Sequence, residues 1–172
     1  MTLLRFDGAC KGNPGKGGSA AVIYQNNDPT PVHVCYYYHP SKTTNNITEY
    51  TGLLAGLKMC LANNLTNVTV EGDSKLVIEQ VFGSWACKHS NMIPLCQEAK
   101  NLKKQFTSIT GRWIPRDQNQ DADYYSNLAI QLKLNQGDPG WFTIANKLTQ
   151  AHKPPKKPNI LAQLQATAVA VP

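Results

Sequence analysis

The sequence predicts an α/β domain built on a mixed five-stranded sheet, three antiparallel strands followed by parallel ones, flanked by helices. Three observations carry this. The chain opens with three β-type runs joined by short turn-rich segments. Helical apolar stripes then alternate with two further short strands, which implies parallel neighbours covered by helices. Finally, 41% hydrophobic residues across 172 positions suffice for one packed core without staples.

The elements follow in order. LLRFDGAC reads as a strand ending at Asp7, with Leu4 and Phe6 on one face and Arg5 and Asp7 on the other. GNPGKGG reads as a turn-rich loop and SAAVIYQ as the next strand. QNNDPT turns the chain into PVHVCYYYH, rich in β-branched and aromatic residues. Tyr50, Leu53, Leu54, Leu57 and Leu61 then form one helical stripe, with Asn46 and Glu49 three residues apart as a capping arrangement before it. VTVEGD is a strand. Val77, Ile78, Val81, Phe82 and Trp85 form a second stripe, and Leu95, Ala99, Leu102 and Phe106 a third. SITGRWI is the last strand, and Ala122, Tyr125, Leu128, Ala129 and Leu132 mark the final helix. The expected order is βββ-α-β-α-α-β-α.

The domain is expected over residues 1–135, with an extension over 136–151 packing on it through Trp141 and Phe142. HKPPKKP reads as a stiff, basic, polyproline-like linker, so 152–172 is expected to be a flexible basic tail. No internal repeat is visible.

Composition narrows the function classes. Seventeen Lys and Arg against 11 Asp and Glu give a net charge of +6, which points weakly to a polyanionic partner. Cys10, Cys35, Cys60, Cys87 and Cys96 form no CxxC pair, a pattern of reduced thiols in an intracellular protein, cytoplasmic or nuclear. The N-terminus lacks a basic region followed by an apolar run, and nothing approaches the length of a membrane span.

Four of the acids sit where such an architecture converges. Asp7 ends the first strand, Glu49 lies in the first turn of the first helix, Asp73 ends the fourth strand, and Asp123 opens the last helix. In an open α/β sheet, strand carboxyl ends and adjacent helix starts meet in one crevice. Singly, each has a commoner structural role: Asp7 beside Gly8 as a turn residue, Glu49 or Asp73 as a cap, Asp123 as a helix-dipole partner. Together, four carboxylates in one crevice repel unless cations lie between them. An all-oxygen set suits Mg²⁺ or Mn²⁺, and two such ions suit in-line phosphodiester hydrolysis. The remaining seven acids, Asp28, Glu71, Glu79, Glu98, Asp117, Asp121 and Asp138, read as surface. Seventeen basic side chains facing those seven fit a protein that concentrates negative charge at one site and is basic elsewhere.

These residues resemble the type 1 ribonuclease H domain. FDGACKGNPGKGGSAAVIY is similar to that family's opening, TTNNITEY to its segment around a catalytic Glu, VTVEGDSKLVIEQVFGSW to its strand–Asp-Ser–helix unit, and WIPRDQNQDADYYSNLAI to its ending. The resemblance covers about residues 1–132, with four motifs in the right order. It implies a ribonuclease H-like fold and an endoribonuclease that cuts the RNA strand of RNA–DNA hybrids, leaving 5′-phosphate and 3′-hydroxyl ends. It implies Asp7, Glu49, Asp73 and Asp123 as the catalytic, metal-binding set for two Mg²⁺ ions, with Mn²⁺ able to substitute. By the same resemblance Asp7 bridges both ions, Glu49 and Asp73 share one, and Asp123 holds the other. The backbone of Gly8, Cys10, Lys11, Gly12 and Asn13 and the side chains of Asn45 and Asn46 match positions that read the hybrid's minor groove. For the two asparagines, helix capping is the competing role. The expected partner is an RNA–DNA hybrid duplex, with no membrane, and a monomeric protein.

Two departures stand out. The loop before Asp123, PRDQNQ, lacks the His found in many relatives, leaving Arg116 or Asp117 as stand-ins. The segment GSWACKHSNMIP is short where many relatives carry a basic protrusion, so the chain is closer to the short variants. Trp85 could face a DNA-phosphate groove, but its place on the apolar stripe favours core burial. Lys100, Lys103 and Lys104 form a basic face whose ordinary role is solvation. Other readings are a catalytically silent hybrid- or protein-binding module, the ribonuclease H portion of a reverse-transcribing element, and a DNA-cutting relative on the same fold. All four carboxylates are present, which favours an active enzyme over the silent module.

Overall fold

The computed structural model describes residues 1–145 and 147. Strands β1 (Thr2–Gly12), β2 (Gly15–Gln25) and β3 (His33–Tyr38) form an antiparallel meander, and β4 (Asn67–Gly72) and β5 (Ser108–Trp113) add in parallel beside β1. The strand order is β3-β2-β1-β4-β5. Helices α1 (Asn45–Ala62), α2 (Lys75–Val81), α3 (Ile93–Lys103) and α4 (Gln120–Leu132) complete the expected order. The mixed sheet and the element sequence stand as the residues predict.

The main core lies between the sheet and α1 to α3. Leu4 and Phe6 of β1, Ile23 of β2 and Val70 of β4 meet Tyr50, Leu53 and Leu57 of α1 there, all fully buried. Beyond α1, Leu95, Ala99 and Leu102 of α3 close the core. The other sheet face is covered by α4, where Val22 and Tyr24 meet Ala122. Downstream of α4, Gln136 exchanges both backbone hydrogen bonds with Tyr36, and Phe142 stacks on Tyr37 at 4.6 Å between ring centroids. The expected 152–172 tail lies outside the described residues.

Several sequence expectations are corrected by the packing. The glycine-rich segment is not a loop. β1 and β2 pair through it as far as Gly12↔Gly15, leaving only Asn13 and Pro14, joined by a cis peptide bond, to turn the chain. For the same reason Asp7 lies within its strand rather than at its end. Thr44, not Asn46, caps α1: its backbone is extended and its hydroxyl oxygen accepts from the Ile47 N–H at 3.3 Å. Trp85 is 45% exposed because α2 stops at Val81, so the stripe does not reach it. On α4, Leu132 is exposed and the buried positions are Ala122, Ser126, Ala129 and Ile130. Small residues line this contact because α4 lies so close to β2 that a Cβ on Gly18 would stand 2.1 Å from the Ser126 carbonyl oxygen. Glu71, expected at the surface, is 2% exposed. It accepts from Arg5 at 2.9 Å and from Arg112, bracing β1, β4 and β5 across the α4 side of the sheet.

Candidate active site

The crevice opens where the parallel pairing stops. β1 and β4 pair up to Phe6↔Gly72, after which β1 continues with β2 while β4 ends. The next residue on each strand is an aspartate, so register alone sets Asp7 beside Asp73. The Phe6 carbonyl, no longer bonded to β4, accepts from the Asn119 side-chain amide at 2.9 Å. That bond fixes the start of α4, and hence Asp123, against β1.

Glu49 arrives from the other side on α1. Gly8 makes this possible: a Cβ there would stand 2.4 Å from the Glu49 nitrogen and from the Thr48 carbonyl carbon and hydroxyl oxygen. Without a side chain at that position, the first turns of α1 settle directly on β1. One carboxylate oxygen from each of Asp7, Glu49 and Asp73 then lies within 4.8 Å of the others, the one group of this kind among the described residues. Asp123 does not join that tight group. It lines the same cavity of about 570 Å³, with its Oδ1 3.7 Å from the Arg116 guanidinium. The Asn127 amide, four residues on, donates to the Asp123 carboxylate at 3.2 Å and to its carbonyl at 2.9 Å.

The electrostatics follow from this crowding. Burial and then the Asp73 charge push Asp7 up to about 8, against a donation from its neighbour Gly8 N–H at 2.8 Å. Burial, then Asp7 and Asp73, hold Glu49 well above the usual carboxylate range. Asp73 is raised by burial too, with the Arg116 charge pulling the other way. Glu49 Oε2 is buried with no hydrogen-bond donor. An all-oxygen donor set with one buried, unpartnered oxygen fits a hard divalent cation, which removes the repulsion and satisfies the orphaned atom together.

The other expected residues divide. Gly8, Cys10, Lys11, Asn45 and Asn46 line the cavity with the acids. Asn13 accepts from the Asn45 N–H at 3.3 Å and lines an adjoining hollow with Asn45, Asn46 and His89. Gly12 lies exposed at the hairpin end, and Trp85 lines neither cavity. With Thr44 capping α1 and Ser74 capping α2, the capping alternatives for Asn45, Asn46, Glu49 and Asp73 fall away. Of the two stand-ins for the absent His, Arg116 faces the site, whereas Asp117 lines a separate cavity with Arg5, Tyr24 and Asp121. Sequence reasoning missed Trp113, whose indole N–H donates to the Asp73 carbonyl at 3.0 Å, as well as Asn119 and Asn127. The i, i+4 spacing of Asp123 and Asn127 was the available signal for the last of these.

A protein-family model described as reverse transcriptase-like matches residues 5–129. The N-terminal RNase H domain of Rv2228c from Mycobacterium tuberculosis superposes with a TM-score of 0.72 at 36% identity, covering 76% of this chain and 94% of that structure's chain. The chain belongs to the ribonuclease H family. In sequence, the whole bifunctional protein Rv2228c is 38% identical over 128 residues, 74% of this chain and 35% of the relative. The chain thus spans about a third of the length of that relative. A ribonuclease H of Ehrlichia chaffeensis is 46% identical over 149 residues, covering 78% of this chain and 92% of the relative. LC11-RNase H1, solved in complex with an RNA/DNA hybrid, superposes with a TM-score of 0.70 at 26% identity over 77% of this chain and 99% of that one. Ribonucleases H are metal-dependent, in keeping with the carboxylate cluster. Among the described residues no helix is long and apolar enough to cross a membrane.

Proposed function

We propose that this chain hydrolyses the RNA strand of RNA–DNA hybrids, leaving 5′-phosphate and 3′-hydroxyl ends, with two Mg²⁺ ions held by Asp7, Glu49, Asp73 and Asp123. The observation that carries the reading is the trio Asp7, Glu49 and Asp73, three carboxylates within 4.8 Å at the point where the parallel sheet parts. Asp7, Glu49 and Asp73 would hold one ion. Asp123, which lines the same cavity, would hold the second together with Asp7. When bound, the pair supplies activation of the attacking water and stabilisation of the leaving 3′-oxygen. Asn119 and Asn127 orient the Asp7 and Asp123 side of the site, and Trp113 fixes the backbone of Asp73. Asn45 and Asn46 present amides that both donate and accept at the minor groove without repelling phosphates.

Residues 1–135 make up the catalytic unit and 136–151 a C-terminal extension, whose described part packs on the domain through the Gln136–Tyr36 bridge and the buried Phe142. The protein acts as a monomer inside the cell. The experiment is cleavage of labelled hybrid with Mg²⁺, Mn²⁺ or EDTA, wild type beside Asp7→Asn. Single-stranded RNA, double-stranded RNA and double-stranded DNA serve as controls. Metal-dependent cutting confined to the hybrid's RNA and lost in the variant is expected. Hybrid that is bound but never cut under either metal would overturn the proposal.

A further inference from the structure

The β1–β2 hairpin carries an arrangement that the active site does not explain. Lys11 and Lys16 stand directly opposite each other in the antiparallel register, so both side chains leave the same face of the sheet. Like charges in directly opposed positions destabilise a sheet. Both are exposed, and the ion pairs among the described residues, Arg5–Glu71, Arg112–Glu71 and Arg116–Asp123, give neither of them an acid. A third exposed lysine adds to the charge. Gly15 and Thr43 exchange both backbone hydrogen bonds, at 2.9 and 2.8 Å, which brings Lys42 alongside Lys16. The hairpin end is held, not free: besides that bridge, Cys10 Sγ donates to the Thr43 carbonyl at 3.3 Å and Asn13 accepts from Asn45.

Lys11 also lines the cavity that holds the carboxylates, and it shares the sheet face of Asp7. Four residues of extended strand separate them, roughly 13 Å at about 3.3 Å per residue. We propose that Lys11 and Lys16, with Lys42 beside them, form a phosphate anchor that grips the duplex backbone beside the cleavage point. The inference rests on the hybrid-cutting reading and adds to it the means of holding the duplex where the chain has only a short segment before α3. A pre-placed pair of unneutralised lysines is stabilised by bringing a polyanion to it, and each phosphate contact releases counterions.

The test is binding of a labelled RNA–DNA hybrid to the full chain, with Ca²⁺ replacing Mg²⁺, over a salt series from about 50 to about 200 mM. The variant Lys11→Gln/Lys16→Gln is compared with Lys100→Gln/Lys104→Gln, which removes the same charge from α3. The slope of log K against log salt is expected to flatten by about 2 in the hairpin variant, near 0.9 per contact, and to stay at the wild-type value in the α3 variant. Lys16→Gln alone is expected to raise Tm by about 1–2 °C without nucleic acid, because the opposed charges are relieved. An unchanged slope in the hairpin variant, or an equal flattening in both variants, would overturn the anchor. Wild-type protein that binds hybrid yet does not cut it would sink the catalytic reading and leave the slope comparison intact.

Discussion

Replacing Gly8 by alanine is the sharpest test of how this site is assembled. The added Cβ would stand 2.4 Å from three atoms of the first turns of α1, two of them backbone, where ordinary contact begins near 3.4 Å. The backbone of α1 cannot rotate out of the way as a side chain would. The helix start must therefore lift from β1 by about 1 Å, carrying Glu49 away from Asp7 and Asp73. A displacement of that size at a reacting centre lowers the rate by about 10²-fold. Forcing extra volume into a packed contact costs about 1–3 kcal/mol, and a protein of this length loses about 2–4 °C of Tm per kcal/mol. The assay is hybrid cleavage at 25 °C across a Mg²⁺ titration, beside a thermal melt, so that a folded but slow enzyme is told apart from an unfolded one. If Gly8→Ala melts a few degrees lower but cleaves within twofold of wild type, Gly8 is only a packing residue, and the account of how Glu49 reaches the trio is wrong.

Other consequences are equally measurable. In EDTA, stability should fall as pH rises from about 4 to 8: the unfolded chain has released the Asp7 proton by then, whereas the native state keeps it up to about 8. Saturating Mg²⁺ should flatten that slope, since the ion displaces the proton, and urea melts at several pH values with and without metal would show it. Asp7→Asn should remove cleavage yet raise the Tm measured in EDTA, most at the alkaline end of the range, because one of three crowded charges is gone; a lower Tm there would contradict the repulsion argument. Trp113→Phe, which loses the donation to the Asp73 carbonyl, should raise the Mg²⁺ needed for half-maximal cleavage about tenfold, read from a metal titration. Glu71→Gln should cost about 1–3 kcal/mol in a urea melt by leaving Arg5 and Arg112 without their buried partner, while kcat stays within a fewfold of wild type.

Periodicity served best where an element buries one broad face. The stripe from Tyr50 to Leu57 places α1 on the sheet because large apolar residues at helical spacing have one place to go, and those positions are fully or almost fully buried. The same rule misled at α4, where the contact is made by Ala122, Ser126 and Ala129 and the large Leu132 faces outward. Helix–sheet distance, set by Gly18, decided which residue sizes could enter, and a stripe of side-chain types does not encode that distance. Glycine density in the first hairpin read as a loop, but the residues pair as strands because glycine permits extended backbone as readily as turns. Glu71 looked like surface because its charge is neutralised by Arg5 and Arg112, which lie 66 and 41 residues away in sequence. Of the site itself, the four acids were legible as strand-end and helix-start carboxylates, and all four line one cavity. Among their supporting partners only Asn127 left a signal, its i, i+4 spacing from Asp123, whereas Asn119 and Trp113 act through single hydrogen bonds that follow from register and leave no pattern in composition.

The site and the scaffold make opposite demands on charge, and the fold separates them along one strand. At Asp7 the parallel neighbour ends, and three acids crowd together, Asp7 buried and the others half-buried, with no donor for Glu49 Oε2. Two residues earlier on the same face, Arg5 meets Glu71, a fully paired buried charge that stiffens β1 against β4. Four residues later, Lys11 opposes Lys16, an unpaired like-charge contact at the surface. Each of the two unfavourable arrangements is relieved by a different part of the same complex, cations for the acids and phosphate oxygens for the lysines, and the favourable one lies behind them. Metal-free, substrate-free protein should therefore be strained at both places. Hydrogen exchange on the full chain should find β4 and the first half of β1 protected in EDTA, with the hairpin beyond Asp7 and the first turn of α1 gaining protection only when Mg²⁺ and then hybrid are added. Uniform protection along β1 in all three states would mean that the charges are accommodated without strain and that the separation carries no energetic meaning.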